Sequence, residues 1–270
     1  MRKEYVVSYE EDGLKVLDFA YLKGINKRAL KDIKMKGDIL INNVHVTVID
    51  KVKYNDKIVF CYPKEESLVE PWDKELKIVY EDDYLLVIDK PQGIACIPTR
   101  GHRFHTIANA IMSYYQKNHI EAAIHLVNRL DKDTSGLMII AKYRDIHYTF
   151  SKNIKHIQRI YHAHVEGIVS EGTIDLPILK EEKKMKRIID EEGKPSITHY
   201  QLIQSYDNYS LVKCVLETGR THQIRVHMAA IGHPLVGDVL YGGKEGEFYL
   251  ESIEVSFVHP VTGKNICIKK

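Results

Sequence analysis

The order in which helical and strand-like segments follow one another constrains the fold of this chain more than any other feature. Strand patterns occur in "LKIVY", "YLLVIDK", "RIYHAHVEGIV", "ITHYQLIQSY" and "YSLVKCVLET", and helical periodicity occurs in "TIANAIMSYYQKN" and "YRDIHYTFSKNIKHIQ". Strands and helices do not alternate regularly here, as they would in a Rossmann fold. The pattern predicts an α+β fold with a mixed, largely antiparallel central sheet and flanking helices.

The composition is that of an ordinary globular protein. Of the 270 residues 44% are hydrophobic, which is enough for a normal core. The 39 basic and 37 acidic residues leave a formal net charge of +2, so only local clusters of charge can argue for a nucleic-acid partner.

Targeting and redox signals are weak in this chain. The N-terminus lacks the apolar core of a signal peptide, and no apolar run approaches the ~20 residues that span a bilayer. Four cysteines lie far apart without a CxxC pair, which predicts reduced thiols and neither a disulfide framework nor a zinc knuckle. We expect a cytoplasmic, monomeric protein without membrane contact.

A basic amphipathic helix is predicted near the N-terminus. In "KGINKRALKDIKMKG", Ile25, Ala29, Leu30 and Ile33 recur at helical spacing, and a strand and hairpin pattern, "DILINNVHVTVIDKVKYNDKIVF", follows. The other positions hold one acidic residue, Asp32, and six cations: Lys23, Lys27, Arg28, Lys31, Lys34 and Lys36. A solvated helix face is the alternative, but six positive charges against one negative charge favour a phosphate-binding surface.

Two segments predict breaks in the regular structure. "YPKEESLVEPWDKE", residues 62–75, mixes prolines with acidic residues and has little periodicity, which predicts a linker. The charged segment "KEEKKMKRIIDEEGKPS" interrupts the strand patterns and predicts a long exposed hairpin or flap.

Two aspartates and several turn-forming residues precede an apolar run in "HLVNRLDKDTSGLMIIAK", residues 125–142. Because "GLMIIAK" is short and apolar and follows Thr134-Ser135-Gly136, we expect Asp131 in a loop at the mouth of a buried strand. There its carboxylate would be held rigidly and partly desolvated. A loop aspartate more often bonds its own backbone, so a catalytic interpretation needs a partner elsewhere.

A second cluster of polar residues occurs in "ETGRTHQIRVHMAAIGHPLVGDVLYGG", residues 217–243. Thr221 is predicted to cap a helix running from about His222 to Ile231, which Gly232 and Pro234 end. Its first turn is then crowded by polar and basic side chains: Arg220, His222, Gln223 and Arg225. A capped helix start with basic side chains suits a phosphate or a carboxylate, with a solvated surface as the alternative.

Sites of other kinds are not favoured. His222, His227 and His233 are spaced by five and six residues, so they would not share one helical face as metal ligands. "GGKEG" lacks the spacing of a phosphate-binding loop. We therefore expect neither a metal site nor a cofactor.

Four blocks in order resemble the RNA pseudouridine synthases of the RluA/RluD type. "YEDDYLLVIDKPQG" is similar to the opening strands of that family, "NRLDKDTSGL" to its catalytic loop, "RIYHAHVEG" to its tyrosine strand and "TGRTHQIRVHMAAIGHPLVGDVLYG" to its long basic motif. The N-terminal segment resembles the S4-type RNA-binding module. The resemblance implies an S4-like module over residues 1–66, a linker over 67–75 and a pseudouridine synthase domain over 76–270.

The resemblance also implies roles for individual residues. Asp131 would be the essential aspartate, Tyr161 would stack on the target uracil, and Arg225 would be the basic partner of the aspartate. The substrate would be structured RNA, ribosomal RNA first and transfer RNA second, with the target uridine flipped out of its stack. Contacts to the surrounding RNA are expected from Arg129, Arg220, His222 and Gln223 in the catalytic domain and from Lys27, Arg28, Lys31 and Lys34 in the module.

Asn128 departs from the pattern of the family, which most often has histidine directly before Arg-Leu-Asp. Because an amide both donates and accepts, we expect altered hydrogen bonding around the loop or altered RNA contact, without loss of activity. Two other functions compete. A non-catalytic S4-type RNA-binding or assembly factor would lack Asp131, Tyr161 or Arg225, and a metal-dependent nuclease using Asp131 and Asp133 would need more acidic partners.

Overall fold

A computed structural model describes residues 1–65, 67–99, 103–181 and 186–270, and the chain divides into two units. The first comprises Met1–Leu68 with the short pieces Ile120–Ala123 and Tyr143–Asp145. The second comprises Val69–His119, Ile124–Lys142 and Ile146–Lys270. Residue 66, where the predicted module ends, lies outside the described residues.

The first unit packs two helices against a small antiparallel sheet. Its elements are β1 (Arg2–Val6), α1 (Val16–Leu22), α2 (Lys27–Lys36), β2 (Asp38–Ile41), β3 (Val44–His45) and β4 (Lys57–Cys61). The strands lie in the order β1-β4-β2-β3. Asn42 and Asn43 connect β2 to β3 with φ of 50° and 68°, the left-handed backbone that a tight hairpin turn requires.

Helix α2 has the amphipathic character that its sequence predicts. The Asn26 side chain accepts a hydrogen bond from the Ala29 amide and so caps the helix. Leu30 and Ile33 are buried in a core that includes Phe19 and Phe60. The cations predicted to bind RNA are exposed on the other positions: Lys27, Arg28, Lys31 and Lys34.

The described part of the second unit contains three α-helices and most of the strands. Its helices are α3 (Ile107–Lys117), α4 (Arg144–Lys152, whose first two residues belong to the first unit) and α5 (Gln223–Ala230). Its strands are β5 (Lys77–Glu81), β6 (Leu85–Lys90), β7 (His125–Leu126), β8 (Ser135–Ala141), β9 (Gln158–Glu166), β10 (Glu171–Asp175), β11 (Ile178–Lys180), β12 (Arg187–Ile189), β13 (Ile197–Ser205), β14 (Tyr209–Leu216), β15 (Leu250–Val258) and β16 (Asn265–Lys269).

One large mixed sheet dominates this unit. Its strands run in the order β10-β13-β14-β9-β15-β8-β6-β5, with β16 on β15 and β7 on β8. Among the described strands, β15 and β8 form the one parallel pair, and the others pair antiparallel. The predicted α+β class with a mixed, largely antiparallel sheet is confirmed.

Burial explains why the apolar runs form central strands. Leu137–Ala141 of β8 and Leu85–Ile88 of β6 are fully buried, so neither face of these strands meets solvent. Thr106 caps helix α3: its amide donates to Asn109 Oδ1, and its hydroxyl accepts from the Asn109 amide.

Two further predictions concern the charged flap and membrane-spanning segments. The charged segment predicted as a flap forms a hairpin, since β11 and β12 pair antiparallel, and residues 182–185 between them lie outside the described residues. No helix in the described ranges has both the length and the apolar character needed to cross a bilayer.

Candidate active site

A cavity of about 590 Å³ opens in the second unit where the loop before β8, strand β9 and the start of α5 meet. Its lining includes Asp131, Tyr161 and Arg225, three residues that are distant in the sequence. A cavity of this size lies within the range of sites for small organic ligands and can take a nucleoside.

The loop that carries Asp131 is held by a buried lysine. The Lys90 ammonium donates to the carbonyl oxygens of Pro91 at 2.9 Å, Lys132 at 3.0 Å and Thr134 at 2.7 Å, which uses all of its protons. Burial lowers the pKa of Lys90 to about 8. The Thr134 amide donates to the Asp131 carbonyl at 3.2 Å and closes the turn. The backbone of the loop is thus fixed, while the Asp131 side chain stays 25% exposed in the cavity.

Asn128 ties the same loop to strand β8. Its side-chain carbonyl accepts from the Ile139 amide at 2.7 Å, and its amide group donates to the Leu137 carbonyl at 3.3 Å. The preceding Val127 amide donates to the Ile139 carbonyl at 2.9 Å. The side chain therefore continues the backbone pairing of β7 with β8 up to the residue before Arg129.

Tyr161 lies on β9, which is hydrogen-bonded to β14 on one side and to β15 on the other. Its side chain is buried against the cavity. Burial raises the pKa of the Tyr161 phenol, and the charge of Arg159 only partly opposes this. The tyrosine is therefore a protonated, rigidly mounted ring at neutral pH.

In the described part of the chain, His222 is the titratable base that lies within ion-pair distance of Asp131. Its Nε2 lies 4.0 Å from Asp131 Oδ2, and its Nδ1 lies 2.9 Å from the Tyr241 hydroxyl. The Arg187 amide donates to that hydroxyl at 2.8 Å, so the hydroxyl proton is free to point at Nδ1. This arrangement favours the ring proton on Nε2, facing Asp131. Burial lowers the pKa of His222, so the ring is mainly neutral at neutral pH.

Arg225 is held by a different carboxylate. Its Nε and Nη2 each donate to Asp238 at 2.7 Å in a bidentate pair, and its guanidinium lies over the Tyr241 ring at 5.2 Å. Burial by itself would lower the pKa of Arg225. The neighbouring carboxylate of Asp238, and to a smaller extent that of Asp131, outweighs burial and raises this pKa. Arg225 therefore acts on Asp131 through its field and not through a direct hydrogen bond.

A metal site is not evident in this part of the protein. Within the described ranges, no three side chains of histidine, cysteine, aspartate or glutamate are grouped so that they could hold an ion.

Comparison with known proteins identifies the family. The family model for RNA pseudouridylate synthases matches residues 84–230. The chain is 42% identical to the uncharacterized RNA pseudouridine synthase YjbO of Bacillus subtilis, over 93% of either chain. It is 33% identical to the ribosomal large subunit pseudouridine synthase D of Zymomonas mobilis, over 90% of this chain and 84% of the other.

The chain belongs to the RNA pseudouridine synthase family. The human protein named RNA Pseudouridylate Synthase Domain Containing 4 has a similar fold. The TM-score is 0.60 at 20% identity, over 72% of this chain and 87% of the human chain. The resemblance to this family and the enzyme class that it implies, an isomerase acting on uridine in RNA, are confirmed.

The start of α5 in this synthase differs from the sequence prediction. The helix begins at Gln223, and the residue before it, His222, has φ of 58° in the left-handed region, whereas Thr221 was predicted to cap the helix. The carbonyl of the Gln223 side chain accepts from the Arg220 amide at 3.0 Å, so a glutamine organises the turn in place of a threonine cap. The predicted end at Gly232 agrees with its φ of 85°.

Gln223, which was predicted to contact RNA, is buried and hydrogen-bonded within the protein. It is 2% exposed, and its side chain also accepts from Thr218 at 2.8 Å and donates to the Ile197 carbonyl at 2.9 Å and to Thr198 Oγ1 at 3.0 Å. No proton of its amide is left for a ligand. The glutamine instead fastens α5 to β13.

The direct pairing of Arg225 with Asp131 also needs correction. The guanidinium is occupied by Asp238, thirteen residues further along the chain, so His222 takes the position beside Asp131. The other predicted RNA contacts of this unit, Arg129 and Arg220, are exposed at the rim of the cavity.

Arg159 is a cavity residue that the sequence interpretation missed. It lies on β9 two residues before Tyr161, so the two side chains share one face of the strand. That i, i+2 relation within "RIYHAHVEG" was the available signal. Asp238 and Lys90 were missed as well. Asp238 meets Arg225 only because the chain folds back after α5, and Lys90 contacts carbonyl oxygens 42 and 44 residues further along the chain.

Proposed function

We propose that this synthase converts specific uridines of ribosomal RNA to pseudouridine, with Asp131 as the essential carboxylate and with the target base flipped into the cavity. The observation that carries the proposal is the position of Asp131. Its carboxylate lines the cavity from a loop fixed by Lys90 and Asn128, and Tyr161 and His222 line the same cavity.

The reaction requires a carboxylate but no added atom. The N1–C1′ bond breaks, the uracil turns within the pocket, C5 bonds to C1′, and the proton on C5 is lost while N1 gains one. Asp131 either attacks covalently or removes a proton from the ribose. Both routes require a carboxylate held at fixed geometry beside the sugar, since positioning supplies much of the rate.

The target base must leave its stack before it can react. In the proposed complex the uracil lies against the Tyr161 ring, and stacking worth ~1–3 kcal/mol offsets part of the cost of flipping. The raised pKa of Tyr161 makes its phenolate a poor choice as the base that removes the C5 proton. A water molecule is the better choice for that step.

Contacts to the rest of the RNA are proposed at two places. In the second unit, the exposed Arg129 and Arg220 would contact phosphates around the site that the flipped base has left, and so would His222. In the N-terminal unit the exposed cations of α2 would bind backbone phosphates, as an S4-like module does. We also propose that the protein acts in the cytoplasm as a monomer, without metal or cofactor.

Ribosomal RNA is proposed as the target because relatives over most of the chain's length bear ribosomal large-subunit names. The test is to incubate the protein with ribosomal and transfer RNA transcripts, without metal or cofactor, and to map pseudouridine. Asp131→Asn should reduce the single-turnover rate at least about 1,000-fold. Asp133→Asn is the matched control, because Asp133 lies in the same loop but is exposed and does not line the cavity.

The outcomes separate the parts of the proposal. Pseudouridine in transfer RNA alone would overturn the ribosomal target. Equal products from wild type and Asp131→Asn would remove Asp131 from the mechanism. If Asp133→Asn lost activity as completely as Asp131→Asn, the loss would reflect disruption of the loop and not the removal of one particular carboxylate.

A further inference from the structure

Arg159 is a buried cation that has no ion-pair partner among the residues that the structure describes. The residue is 5% exposed, and its Nε has no hydrogen-bond partner. No carboxylate of the described residues lies within 4.0 Å of its guanidinium. Burying an unpaired charge is costly, and an unsatisfied buried polar group in a native structure calls for an explanation, of which a catalytic role is one.

The surroundings of Arg159 leave room for the guanidinium at the cavity wall. A Cβ at Gly219 would lie 2.6 Å from Arg159 Nη1, so a side chain at that position would collide with the guanidinium. Gly219 and Arg159 both line the cavity that contains Asp131 and Tyr161. The charge of Arg159 reaches Tyr161. It lowers the pKa of the Tyr161 phenol, and only the opposing effect of burial is larger.

We propose that Arg159 is a further catalytic residue, whose guanidinium binds the uracil of the flipped uridine and neutralises the negative charge that the ring acquires. The inference rests on the proposed function of the Asp131 site. When the N1–C1′ bond breaks, its electron pair goes to the uracil, which becomes an anion with charge shared by N1, O2 and O4. If Asp131 attacks C1′, its charge passes to the leaving uracil, and if it removes a ribose proton, the uracil still departs as the anion.

The base and not the phosphate is the ligand that fits this residue. Arg129 and Arg220 are exposed and can reach the charged backbone of the RNA, whereas Arg159 is buried on the same strand face as the ring that would stack on the base. A fixed cation in a site that excludes water stabilises a developing anion far better than solvent does.

One experiment measures binding without turnover. The probes are uracil and 5-nitrouracil, which is anionic at neutral pH, and their binding to the full-length protein is measured by calorimetry. Wild type should bind 5-nitrouracil more tightly than uracil, and Arg159→Ala should lose this preference. Asp131→Asn should keep it. Equal preference in wild type and in folded Arg159→Ala would overturn the proposal, whether or not the RNA assay gives a product.

The second experiment measures the chemical step under single turnover at saturating enzyme. Arg159→Ala should slow the rate constant by about 100-fold, the usual loss when one donor to a developing anion is removed, with the dissociation constant for RNA changed by less than about 3-fold. Millimolar guanidinium should restore part of the rate, and urea, which has the same shape but no charge, should not. Lys264→Ala, which removes an exposed cation, is the control.

Several results would contradict this assignment. Rescue by urea as good as that by guanidinium would indicate a filled void, and weakened RNA binding with an unchanged rate constant would indicate a phosphate contact. If Arg159→Ala does not fold, Arg159→Lys and Arg159→Gln replace it, with the charged variant expected to be the faster. Absence of pseudouridine from wild type would overturn the proposed function, and the 5-nitrouracil measurement would still decide the role of Arg159.

Discussion

The side chain of Asn128 substitutes for a stretch of backbone. It accepts from the Ile139 amide and donates to the Leu137 carbonyl, both of which belong to a strand that solvent does not reach. Asn128 is therefore buried, and both its side-chain oxygen and its side-chain nitrogen are hydrogen-bonded to β8.

Asn128→Ala should therefore act on stability first. It leaves a buried amide and a buried carbonyl without partners, at a cost of about 1–3 kcal/mol, and this should appear in the free energy of unfolding measured with urea. Activity at low temperature should fall far less than in Asp131→Asn. Asn208→Ala, at an exposed turn, is the control. Turnover abolished as completely as in Asp131→Asn would make Asn128 a direct participant.

At the level of residues, the sequence predicts types of contact better than partners. Asp131 could be located because the turn and the apolar run that define its loop are local in the chain. The partner of Arg225 could not, since the choice between Asp131 and Asp238 depends on how the segment after α5 folds back. For the same reason a threonine cap at position 221 was predicted where a glutamine, fixed by β13, organises the turn.

Among the elements, the contact between β8 and β15 leaves no room for a side chain at position 136. Gly136 pairs with Ser252 of β15 and with Lys90 of β6, and its φ is 103°. A Cβ there would lie 2.2 Å from the Ser252 carbonyl oxygen. This strand junction begins directly after the Asp131 loop, so the geometry of the loop depends on it.

Gly136→Ala should cost about 3–5 kcal/mol, since backbone strain and a collision with a strand add together. The melting temperature should fall by roughly 10 °C, measured by circular dichroism. Gly263→Ala is the matched control, because Gly263 also has positive φ, 69°, but nothing lies within 4 Å of its Cβ position. It should cost about 1 kcal/mol. Equal losses in the two variants would show that strain alone, and not the close approach of β15, limits position 136.

The elements themselves were largely predictable, but their arrangement in the sheet was not. Helices α2 and α3 and strands β6 and β8 follow from periodicity and capping residues that are visible locally. The insertion of β15 between β9 and β8 joins residues that lie about a hundred positions apart in the chain, and no local pattern specifies such a pairing.

At the level of the whole molecule, five histidines make stability depend on pH. Burial lowers the pKa of His147, His162, His164, His222 and His227. Each is neutral when folded and becomes protonated when unfolded below the ordinary value of 6.5, so its contribution is present above that pH and is lost as pH falls below it.

The free energy of unfolding should therefore decrease from about pH 7.5 to about pH 5.5, measured with urea at each pH. His227, which is fully buried between Thr198 and the Leu176 carbonyl, should contribute to the slope. His227→Gln should be less stable at the higher pH and less sensitive to pH, while His156→Gln, at an exposed position, should match wild type. A steeper dependence in His227→Gln would contradict the assignment.

The charge on α2 gives a second prediction at this level. Lys31→Glu combined with Lys34→Glu should weaken RNA binding and make its dependence on salt less steep by about 1–2 in the slope of log K against log [KCl], because fewer counterions are released. Lys51→Glu combined with Lys53→Glu makes the same charge change at exposed positions of the same unit. Equal effects from the two pairs would mean that net charge matters and that α2 is not a specific RNA-binding face.

Strand β9 carries Arg159 and Tyr161 and is hydrogen-bonded along both edges, to β14 and to β15. The conformational entropy of these two positions is therefore lost when the protein folds and not when a ligand arrives. In the proposed complex, a base entering the cavity would meet a surface already in its bound shape, and the binding free energy that a flexible receptor would spend on ordering itself would be left for unstacking the RNA.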